Sequence, residues 1–174
     1  MKSLLKNYKM LEPRLSELTK MAQDVSFSDG ADSALYLGAF TPEDVEVVSS
    51  MLQDGVFCMK DLAWTKKKRK LALLVNRFRW ESNLPERVRT ILIINNVLKI
   101  SSQGIERTDM NTPLNLLKLD VNQTKKSTFL TLLLSEFGAI RCEIEAIEIS
   151  MKDVTRPYTA KSGKAPMHHV IYDS

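Results

Sequence analysis

Histidine is almost missing from this chain. The only two, His168 and His169, stand together near the C-terminal end in a stretch rich in Lys, Gly and Pro. A Ser-His-Asp or Cys-His site needs a histidine on the folded scaffold, so both arrangements lose their usual base. Cysteine is equally scarce. Cys58 and Cys142 fall in separate predicted strands, with no second ligand type at metal spacing. They read as two buried thiols of a reducing compartment rather than as one bridge. The six glycines are scattered singly, which excludes a glycine-rich phosphate loop. The longest nearly unbroken apolar runs, Leu71–Val75 and Ile91–Ile94, fall far short of the ~20 residues a membrane helix needs. The opening MKSLLKNYKMLEPRLSEL is broken by charges every few positions, so no secretory segment is expected. These absences predict a cytoplasmic protein with no metal, no cofactor and no membrane partner.

What is present is positive charge in one place. Lys66, Lys67, Lys68, Arg69 and Lys70 follow one another. Subtracting these five from 25 basic residues leaves 20 against 21 acidic, a net of −1 in place of the formal +4. The pI near 9.0 thus comes from one loop, not from a generally basic surface. Such a loop is either a solvated turn that keeps a sheet edge apart from others, or a contact for the phosphates of a nucleic acid. With so small a basic footprint, the solvated turn is the favoured reading.

At 174 residues the chain suits one domain with its own core. Residues 3–22 space Leu4, Leu5, Tyr8, Leu11, Leu15, Leu18 and Met21 along one helix face, with Pro13 inside it. A linker of Ser, Asp and Gly follows over 23–33, so residues 1–33 form a helical extension. The domain is expected over 34–155 and a flexible basic tail over 156–174. Leu35–Phe40 reads as a strand. Next comes a helix with Thr41 as N-cap, Pro42 at the first position, Val45, Val48 and Leu52 as its buried stripe, and Gly55 as its end. From Val56 the period changes to two, and strands are predicted over 56–64, 70–80, 87–101, 114–120, 128–134 and 139–151. Asn95 and Asn96 lie in the middle of the long 87–101 run and suggest two strands with a bend. In 139–151 the alternation reverses phase, which a bulge near Glu145–Ala146 would absorb; a helix fits the same residues less well. Glu143, Glu145 and Glu148 read as a solvated strand face rather than an acid/base pair.

Four arginines carry the remaining interest. In LALLVNRFRW, Arg77 and Arg79 share a face with Leu71, Leu73 and Val75, while Phe78 and Trp80 lie on the other. Arg87 and Arg89 follow on the return strand. Pairing Arg79 with Arg87 and Arg77 with Arg89 would gather four guanidinium groups, a candidate grip for a phosphate or carboxylate. A register slipped by one would instead set Arg79 opposite Glu86. The burial expected from this reading is Phe78 and Trp80 inside, Arg77 and Arg79 outside.

The block Asn76-Arg77-Phe78-Arg79-Trp80-Glu81 resembles that of a bacterial family catalogued as a domain of unknown function, number 2948. Gln53-Asp54, Asp61-Leu62-Ala63, Gly104-Ile105, Leu116-Leu117 and Gly138-Ala139-Ile140-Arg141 support the resemblance, as do Lys164, Pro166 and His168 in the tail. It runs from about Leu35 to Val154, leaves the first 33 residues outside, and shows Tyr158 where the family is expected to have Trp. The resemblance implies a compact bacterial, cytoplasmic protein and names no reaction.

The expected fold is α+β. An N-terminal helix precedes a mostly antiparallel β meander curled into a split barrel or sandwich, a pleckstrin-homology-like barrel being one candidate on strand count. The expected function is non-enzymatic binding, as an adaptor domain for a protein partner. The alternative is nucleic-acid or anionic-ligand binding through the basic turn and the paired arginines.

Overall fold

A computed structural model describes residues 34–105 and 109–160, together with Glu17, Lys20 and Pro166. The extension over 1–33 lies outside them apart from Glu17 and Lys20, as do His168 and His169. After β1 (Tyr36–Ala39) the chain forms α1 (Pro42–Leu52). Thr41 caps it reciprocally: its Oγ1 accepts from the Asp44 amide at 3.2 Å, and Asp44 Oδ2 accepts from the Thr41 amide at 3.0 Å. A second amide, that of Phe40, also donates to Asp44, and these backbone bonds hold its carboxyl below the usual range. Val45, Val48 and Leu52 are buried as the periodicity requires. Ser49 adds a tie, its Oγ accepting from the Leu119 amide at 2.8 Å.

The helix does not end at Gly55. Asp54 takes the left-handed conformation, φ 58°, and its amide bonds to the Leu116 carbonyl. Gly55 instead opens the next strand in a space without room for a side chain. A Cβ there would lie 2.5 Å from Val75 Cγ1 and 2.8 Å from the Leu52 carbonyl oxygen.

The sheet strands are β2 (Gly55–Cys58), β3 (Leu62–Thr65), β4 (Lys70–Phe78), β5 (Glu86–Ile94), β6 (Val97–Gln103), β7 (Pro113–Gln123), β8 (Thr128–Leu134), β9 (Ala139–Ile144), β10 (Ile149–Asp153) and β11 (Tyr158–Thr159). All pairings are antiparallel, in the order β1-β10-β5-β4-β2-β7-β8-β9-β6, with β3 on β4 and β11 on β5. The class is α+β and mostly antiparallel, as expected. The path is open from β1 to β6 rather than closed into a barrel.

Two long segments expected as strands break where they meet. Asn96 enters the left-handed region at φ 58°, which asparagine tolerates, and separates β5 from β6. The chain between β9 and β10 turns opposite this point. Glu148 accepts from the side-chain amides of Asn95 and Asn96 at 3.1 and 2.8 Å, and the Glu145 amide donates to the Asn96 carbonyl. The reversed alternation in 139–151 is therefore a full break between two strands, not a bulge within one. β9 pairs with β6 and β8, and β10 pairs with β5 and β1. The 56–64 run also divides, at a single 3₁₀ turn over Met59–Asp61, where Asp61 Oδ2 accepts from the Cys58 amide at 3.0 Å.

One apolar cluster fills the interior, drawing Val48 and Leu52 of α1, Leu71 and Leu73 of β4, and Leu132 and Ile140 of β8 and β9. The segment after Thr155, expected as tail, begins inside the domain. Tyr158 and Thr159 pair with Arg87 and Glu86, Tyr158 Oη donates to Asn76 Oδ1 at 2.7 Å, and Ala160 is buried. Both cysteines are free thiols; Cys142 is buried, whereas Cys58 is only partly so. No helix among the described residues is long and apolar enough to cross a membrane.

Candidate functional site

Arg77 has the largest fully buried side chain among the described residues. It continues the row of Leu71, Leu73 and Val75 that faces the core, and this row stays covered to its end. Charged side chains are buried this completely only when paired. Arg77 Nη2 donates to Asp153 Oδ2 and to Glu81 Oε1, both at 2.7 Å. Its Nη1 reaches Glu81 Oε2 at 2.9 Å and the Phe78 carbonyl at 3.4 Å. Its Nε is shared between Asp153 Oδ1 at 3.0 Å and Thr90 Oγ1 at 3.1 Å. Thr90 Oγ1 in turn donates to Asp153 Oδ1 at 2.5 Å. Burial works against the guanidinium charge, but the bonds to Glu81 and Asp153 outweigh it and raise its pKa. Burial likewise opposes ionisation of Glu81, and the bonds from Arg77 hold its carboxyl below the usual range. With its donors so engaged, Arg77 presents none to an outside anion.

The four arginines do not gather. The register sets Arg77 opposite Val88, Phe78 opposite Arg87 and Asn76 opposite Arg89. Arg77 and Arg79 therefore lie on one face and Arg87 and Arg89 on the other. Arg79 meets Glu86, at 2.8 Å from Nη1 to Oε2, as the slipped register requires. Arg87 donates to the Asn76 carbonyl at 3.0 Å, and Arg89 is exposed. The expected burial holds for Phe78 and only partly for Trp80, which is 39% exposed; it reverses for Arg77 and fails for Arg79, whose side chain is 12% exposed. Trp80 packs edge-on against Phe78 and donates from its indole to the Gln53 carbonyl at 3.1 Å. The hexapeptide Asn76–Glu81 thus ties β4 to β10, β11 and the end of α1.

The basic turn joins β3 to β4. Lys66, Lys67 and Lys68 are exposed and make no ion pair with any described residue. Arg69, at φ 49°, is the anchored member. Its Nη1 meets Glu145 Oε2 at 2.6 Å and its carbonyl accepts from the Val97 amide at 2.8 Å. Lys70 begins β4, half-buried.

A second region was not foreseen. On the solvent side of β6, β9, β8 and β7, the register aligns Ser101, Arg141, Thr131 and Asp120 in one cross-strand row. The neighbouring row is Lys99, Glu143, Phe129 and Asn122. An open cleft of about 400 Å³ lies over the first row, bounded by Phe129 and Asn122 on one side and by Leu133 and Ala139 on the other. Arg141 lies over the Phe129 ring, its Cζ 3.8 Å from the centroid. Among the described residues its guanidinium makes no hydrogen bond and no ion pair. In sequence Arg141 and Phe129 are merely the outward phase of two strands. Only the register, set by residues far apart in the chain, stacks one on the other.

Neither the curated proteins nor the solved structures contain a match to the chain. The profile of one family, described as a protein of unknown function (DUF2948), matches residues 35–168 and so takes in every described strand and α1. Of the residues that carried the resemblance, the block Asn76–Glu81 holds Arg77 and its partner Glu81, and the chain belongs to the DUF2948 family.

Proposed function

We propose that this protein is a non-enzymatic binding domain that receives its partner on the solvent face of β6, β9, β8 and β7. The observation that carries this reading is the cleft over Phe129, whose central guanidinium, Arg141, is committed to no described carboxylate. Elsewhere the strongest charges already satisfy one another, as Arg77 does with Asp153 and Glu81. Burial also pushes the Cys142 thiol up to about 12, which keeps it protonated and a poor nucleophile. The test is a titration of the labelled protein with a library of small fragments, followed by backbone amide shifts. Changes should concentrate at Ser101, Thr131 and Arg141. Fragments that cluster on any other surface would refute the assignment of this face.

A second reading is polyanion binding by Lys66, Lys67, Lys68, Arg69 and Lys70, supported by the three exposed, unpaired lysines. Oligonucleotide affinity should then fall with salt at a log–log slope of roughly −4 for five phosphate contacts. No binding at low salt would leave the turn as a solvated surface.

A further inference from the structure

We infer that the cleft over Phe129 binds a small organic oxyanion, a carboxylate or phosphate attached to a compact apolar body, with Arg141 as its anchor. The inference rests on the binding face proposed above and specifies its ligand. Three features lead to it. The first is position. With its Cζ 3.8 Å from the Phe129 centroid, the guanidinium sits over an aromatic face, and its N–H edge meets no hydrogen-bond partner among the described residues. A planar fork held in this way meets a carboxylate or phosphate through two parallel hydrogen bonds, with little rotamer freedom left to lose. The second is the wall chemistry. Phe129, Leu133 and Ala139 supply apolar surface beside that edge, while Thr131 and Asn122 make no hydrogen bond from their side chains to any described residue. The volume of about 400 Å³ falls in the range of small-molecule sites. A bare ion would leave most of it unfilled.

The third feature is the local charge. The two carboxylates near Arg141 have other partners and neither bonds to it. Asp120 accepts from Lys118 Nζ at 3.1 Å, and Glu143 accepts from Ser127 Oγ at 3.2 Å. Lys99, opposite Glu143 in the register, adds positive charge in a smaller adjoining cleft that Arg141 and Phe129 also line. The guanidinium is therefore paired with neither carboxylate, and an incoming oxyanion is its natural complement.

The experiment is a titration of the whole chain with benzoate, phenyl phosphate, inorganic phosphate and neutral benzamide at constant ionic strength. Amide and arginine Nε resonances report the site. Benzoate or phenyl phosphate should shift Arg141 and Thr131 and bind at least about tenfold more tightly than benzamide, the usual worth of a charge-assisted pair. Which of the two binds more tightly identifies carboxylate or phosphate as the preferred group. Arg141→Gln should reduce that affinity at least about tenfold with an unchanged melting temperature, because the side chain is exposed. Arg141→Lys should recover only part of it, since an ammonium cannot form the parallel pair. Equal binding of benzamide would overturn the oxyanion assignment while leaving the binding face itself standing. Inorganic phosphate binding as tightly as phenyl phosphate would overturn the apolar body. No shift at Arg141 with any probe, or an unchanged affinity in Arg141→Gln, would overturn the site.

Discussion

Replacing Arg77 by Met should be among the most destabilising single changes in this domain. The side chain is fully buried, and Asp153, which it pairs with at 2.7 Å, is only 4% exposed. Methionine keeps an unbranched apolar stem in place of arginine's but offers no donor. Asp153 would keep the Thr90 hydroxyl and a long bond from the Leu35 amide at 3.4 Å, too little for a buried carboxylate. Breaking one partner of a buried pair costs about 3–5 kcal/mol. Glu81, being partly solvated at 30% side-chain exposure, adds little to that figure. Urea unfolding followed by tryptophan fluorescence reads the loss directly, as a lower midpoint at constant slope. A paired change, Arg77→Met with Asp153→Leu, removes the orphaned charge along with its partner. It should cost markedly less than Arg77→Met alone, because an ion pair and an apolar pair of similar volume differ little in net stability. A single-mutant loss below about 1 kcal/mol would refute the reasoning, as would a double mutant no better than the single one.

Three further outcomes follow from the structure. Gly55→Ala should destabilise by about 1–3 kcal/mol, since the added methyl meets Val75 and the rigid Leu52 carbonyl; a neutral result in the same urea assay would show that β2 can move aside. Deleting residues 156–174 should lower the melting temperature by several degrees, about 1–2 kcal/mol, by removing β11 and uncovering Asn76; an unchanged transition would show that β11 contributes nothing. In acid, Glu81 contributes stability that is complete above its usual value of 4.5 and is lost as pH falls through its depressed folded value; stability measured from pH 6 down to about 3 should decline, and Arg77→Met should lack the Glu81 part of that decline.

Much of the local structure was legible in the chain. Thr41, Pro42 and Asp44 are each chosen by backbone chemistry within four residues, so the start of α1 could be read directly. The β8 bounds and the bend at Asn95-Asn96 were equally local, the one from alternation and the other from the tolerance of asparagine for positive φ. The end of α1 was misread because Gly55 is required by the close approach of Val75, a contact across the fold, while the helix stop itself falls to Asp54. The same division governs the charges. Alternation put Arg77 in phase with Leu71, Leu73 and Val75, but whether that face stays covered depends on β10 and on Asp153, 76 residues away. Charge alone argued for the surface; pairing in space reversed it. The four-arginine cluster dissolved on a one-residue register shift, which moves every side chain of a strand to the opposite face. Arg141 and Phe129 carried no signal as separate residues. Composition and period, which are properties of neighbours in the chain, determined the class, the helix and most strands. Register and long-range pairing, which no short window contains, decided which arginines are spent inside and which are left facing water.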